Sequence, residues 1–227
     1  MRKIILSILF LLLMVNAASA FSGGAGTSAN PWQISTLTDL QAIGTNSTTK
    51  AAHYIQINDI DASTTSTWNS GAGFLPISTF TGHYDGQDYT ITGLYINRPL
   101  TNYIGLFGII GSGGIVENLG VIDAQITGQG DVGVLAGRAT LATINRCYTS
   151  GTSSGAGSVG GFIGVSEDNS ISNSFSRANV ANSGYISGGF CASVADGGMA
   201  NCYSTGTVTG VDYIGGFVGY AISSPPV

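Results

Sequence analysis

The chain has 227 residues, of which 35 are Gly, 7 are basic and 12 are acidic, for a formal net charge of −5. This much Gly and only 8% charge exclude coiled coils and helical bundles, and 43% hydrophobic residues exclude charge-driven disorder. So few cations cannot neutralise a run of phosphates, so nucleic acid is excluded as a partner, and Gly without a strict third-position period excludes collagen.

Residues 1–20 read as a secretory signal peptide. Arg2 and Lys3 are followed by an apolar run from Ile4 to Val15 and by the small-residue site Ala18-Ser19-Ala20. The apolar run is shorter than the ~20 residues a spanning helix needs, so cleavage after Ala20 and export are expected, with no membrane span left in the mature chain. Loss of Arg2 and Lys3 leaves 5 basic and 12 acidic residues, a charge that disfavours anionic lipid partners.

Residues 21–90 are irregular. Thr38 to Ile43, stopped by Gly44, reads as one short helix with Leu37, Leu40 and Ile43 on a shared face, and Tyr54 to Ile57 reads as a strand. This segment is expected to be an N-terminal cap with irregular first coils, because a solenoid must cover its open apolar end.

From residue 91 to 222 the sequence repeats. One motif occurs as Ile104-Gly-Leu-Phe107, Val132-Gly-Val-Leu135, Val159-Gly-Gly-Phe162, Ser187-Gly-Gly-Phe190 and Ile214-Gly-Gly-Phe217, at spacings of 28, 27, 28 and 27. A second starts at Ile91, Val116, Ile144, Ile171 and Met199. Two motifs keeping one period argue for a stacked architecture. The period is too short for propeller blades, the leucine-rich consensus is missing, and helical repeats do not tolerate this Gly content. An all-β parallel solenoid of about five coils of 27–28 residues is expected, with Gly supplying positive φ at its corners. Residues 223–227 read as a tail, and the last coil edge is expected to pair with further repeats or another chain.

The alternation of the second motif turns its fourth position inward, placing Cys147, Ser174 and Cys202 in one column. Cys147 and Cys202 are then two coil rises apart, about 9.6 Å, beyond the ~7 Å limit for a bridge, so the three Cys residues are expected to be core filler. The Cys spacings show no metal pattern, and no cofactor motif is present. Gly128-x-Gly130-x-x-Gly133 and Gly155-x-Gly157-x-x-Gly160 mimic a dinucleotide fingerprint but recur with the repeat and open no helix. Gly151-x-Ser153-x-Gly155 mimics a nucleophile elbow, yet both histidines, His53 and His83, precede it.

The Val/Ile-Gly-Gly-Phe-x-Gly pattern, with Ile-x-Asn-Cys-Tyr-Ser-Thr-Gly between copies, resembles the GLUG-motif repeat proteins, most closely over residues 144–164 and 199–219. The upstream Pro31-Trp32-Gln33-Ile34, His53-Tyr54-Ile55 and Asn58-Asp59-Ile60-Asp61 resemble the N-terminal part of such proteins. The resemblance implies a right-handed parallel β-helix in a secreted or surface bacterial protein, adhesin-like or part of a larger peptidase. Ser187 departs from the motif's aliphatic position, and the sequence holds no His-Glu-x-x-His, so no peptidase activity is carried over.

Two candidate sites follow from the spacing. Tyr95, Tyr148, Phe175 and Tyr203 share the fifth, outward position and form an aromatic row that could stack on glycans. Asp168 and Asp196 each follow a motif Phe by six residues and could form an acid pair one coil apart. Asn118, Asn173 and Asn201 form a corner ladder of structural character. The leading expectation is a non-enzymatic, exported β-helix module, an adhesin-like or spacer segment contacting glycans or a host or cell-surface protein. The alternatives are a polysaccharide-active lyase or hydrolase and an accessory repeat region of a larger peptidase or adhesin.

Overall fold

The computed structural model describes residues 21–222; the expected signal peptide, residues 1–20, and the expected tail, residues 223–227, lie outside them. The chain is a parallel β-helix. A seven-stranded sheet runs through Trp32–Ile34, His53–Gln56, His83–Asp85, Ile115–Glu117, Thr143–Asn145, Ser170–Ser172 and Gly198–Ala200. A five-stranded sheet stacks Phe107–Ile110, Ala136–Thr140, Ile163–Glu167, Cys191–Ala195 and Val218–Ile222. A third sheet is centred on Gly120–Thr127 and Tyr148–Gly155, and a short fourth one joins Ser158–Gly160, Ile186–Gly188 and Ile214–Gly215. All of these strand pairs are parallel, so each coil lays its residues over equivalent residues of the coil before.

The inward columns explain why the pattern folds this way. In the seven-stranded sheet Trp32, Tyr54, Tyr84, Val116, Ile144, Ile171 and Met199 lie in register. All but the two end members are fully or almost fully buried. Phe162, Phe190 and Phe217 stack ring on ring, with centroids 4.5 and 5.0 Å apart. A coil therefore buries its apolar side chains against its neighbours as well as across its own interior, as Tyr84 and Phe107 do at 6.0 Å between centroids. Coil lengths from this column are 28, 27 and 28 residues after Val116, but 22, 30 and 32 before it.

That irregularity displaces two sequence alignments. Ile91 pairs with Val121 and Ile60, while Tyr84 takes the place beneath Val116. Tyr95 accordingly pairs with Gln125 and is not in the column of Tyr148. Phe107 pairs with Ala136, one residue away from Leu135. The apolar spacing at Ile91 imitates the repeat because a 32-residue coil has room for two short strands, Thr90–Thr92 and Tyr95–Asn97.

The expected short helix is present as Leu37–Ala42, with Leu40 and Ile43 fully buried. Thr36 caps it, accepting from Asp39 N while Asp39 accepts from Thr36 N and Ser35 N. Burial raises the Asp39 pKa, but hydrogen bonds from Ser22, Ser35 and Thr36 outweigh it and hold the carboxyl below its ordinary value. The expectation of a single helix is too low: Ser47–Lys50 forms a polar helical turn capped by Asn46, and Ser63–Gly71 is a kinked 3-10 stretch. Neither carries apolar periodicity, so neither announces itself in the sequence.

Gly113, Gly151 and Gly197 supply positive φ as expected, but the glycines of the repeated motif have a different role. At Gly160, Gly188 and Gly215 φ is not positive, yet an added Cβ would stand 1.8–1.9 Å from the carbonyl oxygen three residues on. The motif glycines are therefore imposed by close backbone approach. The left-handed corners are carried instead by Asn118, Arg146, Asn173 and Asn201, with φ of 51–55°. Asn tolerates this region and bonds along the axis, as Asn173 does to Asn145 (2.9 Å) and Asn201 to Asn173 (3.0 Å).

The buried hydroxyls are mostly paired. Thr149 Oγ1 donates to Gly161 O at 3.0 Å and Ser153 Oγ to Gly160 O at 2.9 Å. Ser187 is the exception: it is fully buried in the column of Val132, Val159 and Ile214, and its Oγ has no partner among the described residues. Replacing Ser187 by Val restores the aliphatic column and is expected to stabilise the chain by about 1 kcal/mol. Denaturant unfolding checks this; an unchanged or lower midpoint would mean that the hydroxyl is solvated or paired.

Candidate functional site

The outward side of the third sheet carries the aromatic row, shortened to three rings. Tyr148, Phe175 and Tyr203 are in register and stack at 5.1 and 4.9 Å with interplanar angles of 11° and 6°. Gly120 precedes Tyr148 in the column, and the Tyr148 ring lies over it. Arg177 places its guanidinium 4.9 Å from the Phe175 centroid. The rings spend their faces on one another, so the row presents mainly edges; Tyr203 at its end is the exposed member. Tyr95 stands apart from this row on the strand Tyr95–Asn97.

Asp168 and Asp196 follow the register partners Glu167 and Ala195, so they do lie one coil apart. Leu141 occupies the same position on the preceding coil, after Thr140. The three residues share φ of 51–53°. What the column keeps constant is a left-handed turn, with a carboxylate at only two of the three places. The turn is tied by buried Asn169, which accepts from Ala142 N and donates to Ala139 O, both at 2.8 Å.

Charged groups gather at two other places. Arg138 bonds Asp131 at 2.6 Å and Glu167 at 3.3 Å, with its guanidinium 5.4 Å from the Tyr103 ring. On the outer face of the seven-stranded sheet, Asn118 donates to Asp85 (2.7 Å), and His83 meets Glu117 (2.8 Å). Next to the N-terminal coils is a groove of about 240 Å³ lined by Leu75, Pro76, Arg98, Tyr103 and Ile104. Among the described residues, no group of three or more His, Cys, Asp or Glu side chains could hold a metal ion. No described helix is long and apolar enough to cross a membrane.

Cys147 and Cys191 are buried, Cys202 is half-buried, and all three are free thiols. Burial pushes the Cys147 thiol up to about 12, against weaker opposing hydrogen bonds, and raises Cys191 as well. Burial also raises the phenols of Tyr54 and Tyr84. A raised folded-state pKa gives stability that is full below the unfolded-state value and is lost as pH climbs towards the folded one. Stability is therefore expected to fall continuously above about pH 9. Urea midpoints from pH 7 to 11 check this; a flat profile would contradict burial of these groups.

No protein-family model matches the chain. It is 42% identical over 164 residues to halomucin of Haloquadratum walsbyi, covering 68% of this chain and 2% of halomucin. It is 34% identical over 103 residues to an immunoglobulin A1 protease of Streptococcus sanguinis, covering 45% of this chain and 5% of the protease. The chain thus corresponds to a small fraction of each relative's length. The fold is shared with a crystal structure of a Bacteroides ovatus protein provisionally assigned as an immunoglobulin A1 protease. The TM-score is 0.62 at 20% identity, over 90% of this chain and 77% of that one.

Proposed function

We propose that this chain is a non-catalytic β-helix repeat segment of an exported or surface protein, serving as a spacer or adhesin-like module. The observation that carries this reading is the uninterrupted register from Val116 to Met199, in which every coil is spent on the next coil's core. Such stacking builds length and lateral surface. The 42% identity to a segment of halomucin and the match to segments of immunoglobulin A1 proteases support a surface setting. The resemblance to GLUG-motif repeats and the leader ending at Ala20 belong to the same reading.

We place contact with glycans or cell-surface proteins at the outward ring edges of Tyr148, Phe175 and Tyr203, chiefly Tyr203. Purified chain is expected to bind immobilised cell-surface polysaccharide, with affinity falling several-fold in Tyr203→Ala. Binding that ignores this substitution would retire the aromatic contact. Cleavage of the polysaccharide, or of immunoglobulin A1, by the purified chain would overturn the non-catalytic reading.

A further inference from the structure

The chain contains only two histidines, and the fold puts both in one place. His53 and His83 are register partners on adjacent parallel strands, each followed by an inward Tyr. Their ring centroids are 5.6 Å apart. With metal–nitrogen bonds of about 2.0–2.1 Å and each ring centre about 1 Å further along the bond, two imidazoles at a tetrahedral angle hold centroids about 5 Å apart. The observed 5.6 Å is within about 1 Å of that separation. Both residues are partly exposed, so an ion has access and water can fill the remaining positions.

A neighbouring carboxylate prepares the second ring. Glu117 Oε1 lies 2.8 Å from His83 Nε2, and its other oxygen lies 4.0 Å from Arg146 Nη2. A carboxylate there accepts Nε2–H, which fixes the tautomer and leaves the Nδ1 lone pair as the ligand. This is the outer-shell arrangement that metal-binding imidazoles use. Asp85 and Glu117 stand in register on the same outer face, and the net charge of −5 adds to the attraction for a cation.

We infer that His53 and His83 form a two-histidine cross-strand site for a borderline divalent transition metal ion such as Zn²⁺ or Ni²⁺, with Glu117 as a positioning residue. The ligand count of two distinguishes this from a closed structural site and implies exchangeable binding with open positions.

The test is titration of the untagged chain with Ni²⁺ by calorimetry, joined to NMR of the imidazole protons. One ion per chain is expected, with both histidine signals broadened together. Affinity is expected to fall at least tenfold in His53→Ala and in His83→Ala, and several-fold to tenfold in Glu117→Gln with the stoichiometry kept. His53→Ala removes no ion pair, so it keeps the test valid where His83→Ala fails to fold. Cys202→Ser is expected to bind as the parent does. The inference is overturned by no binding at millimolar Ni²⁺, by unchanged affinity in His53→Ala, or by loss of binding in Cys202→Ser.

Discussion

Gly188→Ala is expected to cost at least about 3 kcal/mol and to leave little folded protein at physiological temperature. The added methyl would sit 1.8 Å from Cys191 O, 2.6 Å from its carbonyl carbon and 3.0 Å from Gly219 N. All three are backbone atoms held by the stacking of adjacent coils, so nothing flexible can give way. Two other glycines separate this effect from the ordinary consequences of glycine replacement. Gly113 has φ of 79° with open space around its Cβ position, so Gly113→Ala is expected to cost about 1 kcal/mol from backbone strain alone. Gly198 has open space and no positive φ, so Gly198→Ala is expected to be nearly neutral. Thermal or denaturant unfolding of the three variants checks the order; equal losses would mean that close approach is not the reason for the motif glycines.

Phe190→Ala is expected to cost a comparable amount, about 3–5 kcal/mol. Its ring is fully buried between Phe162 at 4.5 Å and Phe217 at 5.0 Å, so truncation opens a cavity that touches three coils at once. Phe175 is stacked just as closely, between Tyr148 and Tyr203, but outside the helix. Phe175→Ala is expected to cost only about 1 kcal/mol, because much of its surface is already hydrated or covered by side chains that can move. Denaturant unfolding of both variants reads the difference. A Phe175→Ala loss as large as that of Phe190→Ala would place the outer row in the core.

Legibility in the sequence followed coil regularity. From Val116 onward each coil has 27 or 28 residues, and the alignments of Ile144 with Ile171 and of Tyr148 with Phe175 and Tyr203 agree with the register. Before Val116 the coils change length, and a chance Ile-x-Gly-Leu-Tyr run at Ile91 imitates the motif. That imitation alone aligns Tyr95 with the aromatic row. The function of the repeat glycines was illegible for a different reason: glycine answers both to positive φ and to crowding, and the sequence does not separate the two. The Asn and Asp residues at the corners were the available clue, since they carry the left-handed positions themselves. The repeat period does not align His53 with His83, because their separation of 30 residues falls outside it. The repeated His-Tyr dipeptide was the readable signal.

The shared column register holds the whole β-helix together, and an engineered cross-link tests it most directly. Thr143 and Ser170 are exposed register partners on adjacent strands of the seven-stranded sheet, whereas Ser172 pairs with Asn145. Parallel neighbours stand about 4.8 Å apart, inside bridging range, while a two-residue offset along the strand carries the pair beyond the ~7 Å limit. Under mild oxidation, Thr143→Cys/Ser170→Cys is expected to form an intramolecular disulfide, identified by peptide mapping, and Thr143→Cys/Ser172→Cys is expected not to. Efficient closure of the offset pair, or failure of the matched pair in a folded protein, would contradict the coil register and the β-helix built on it.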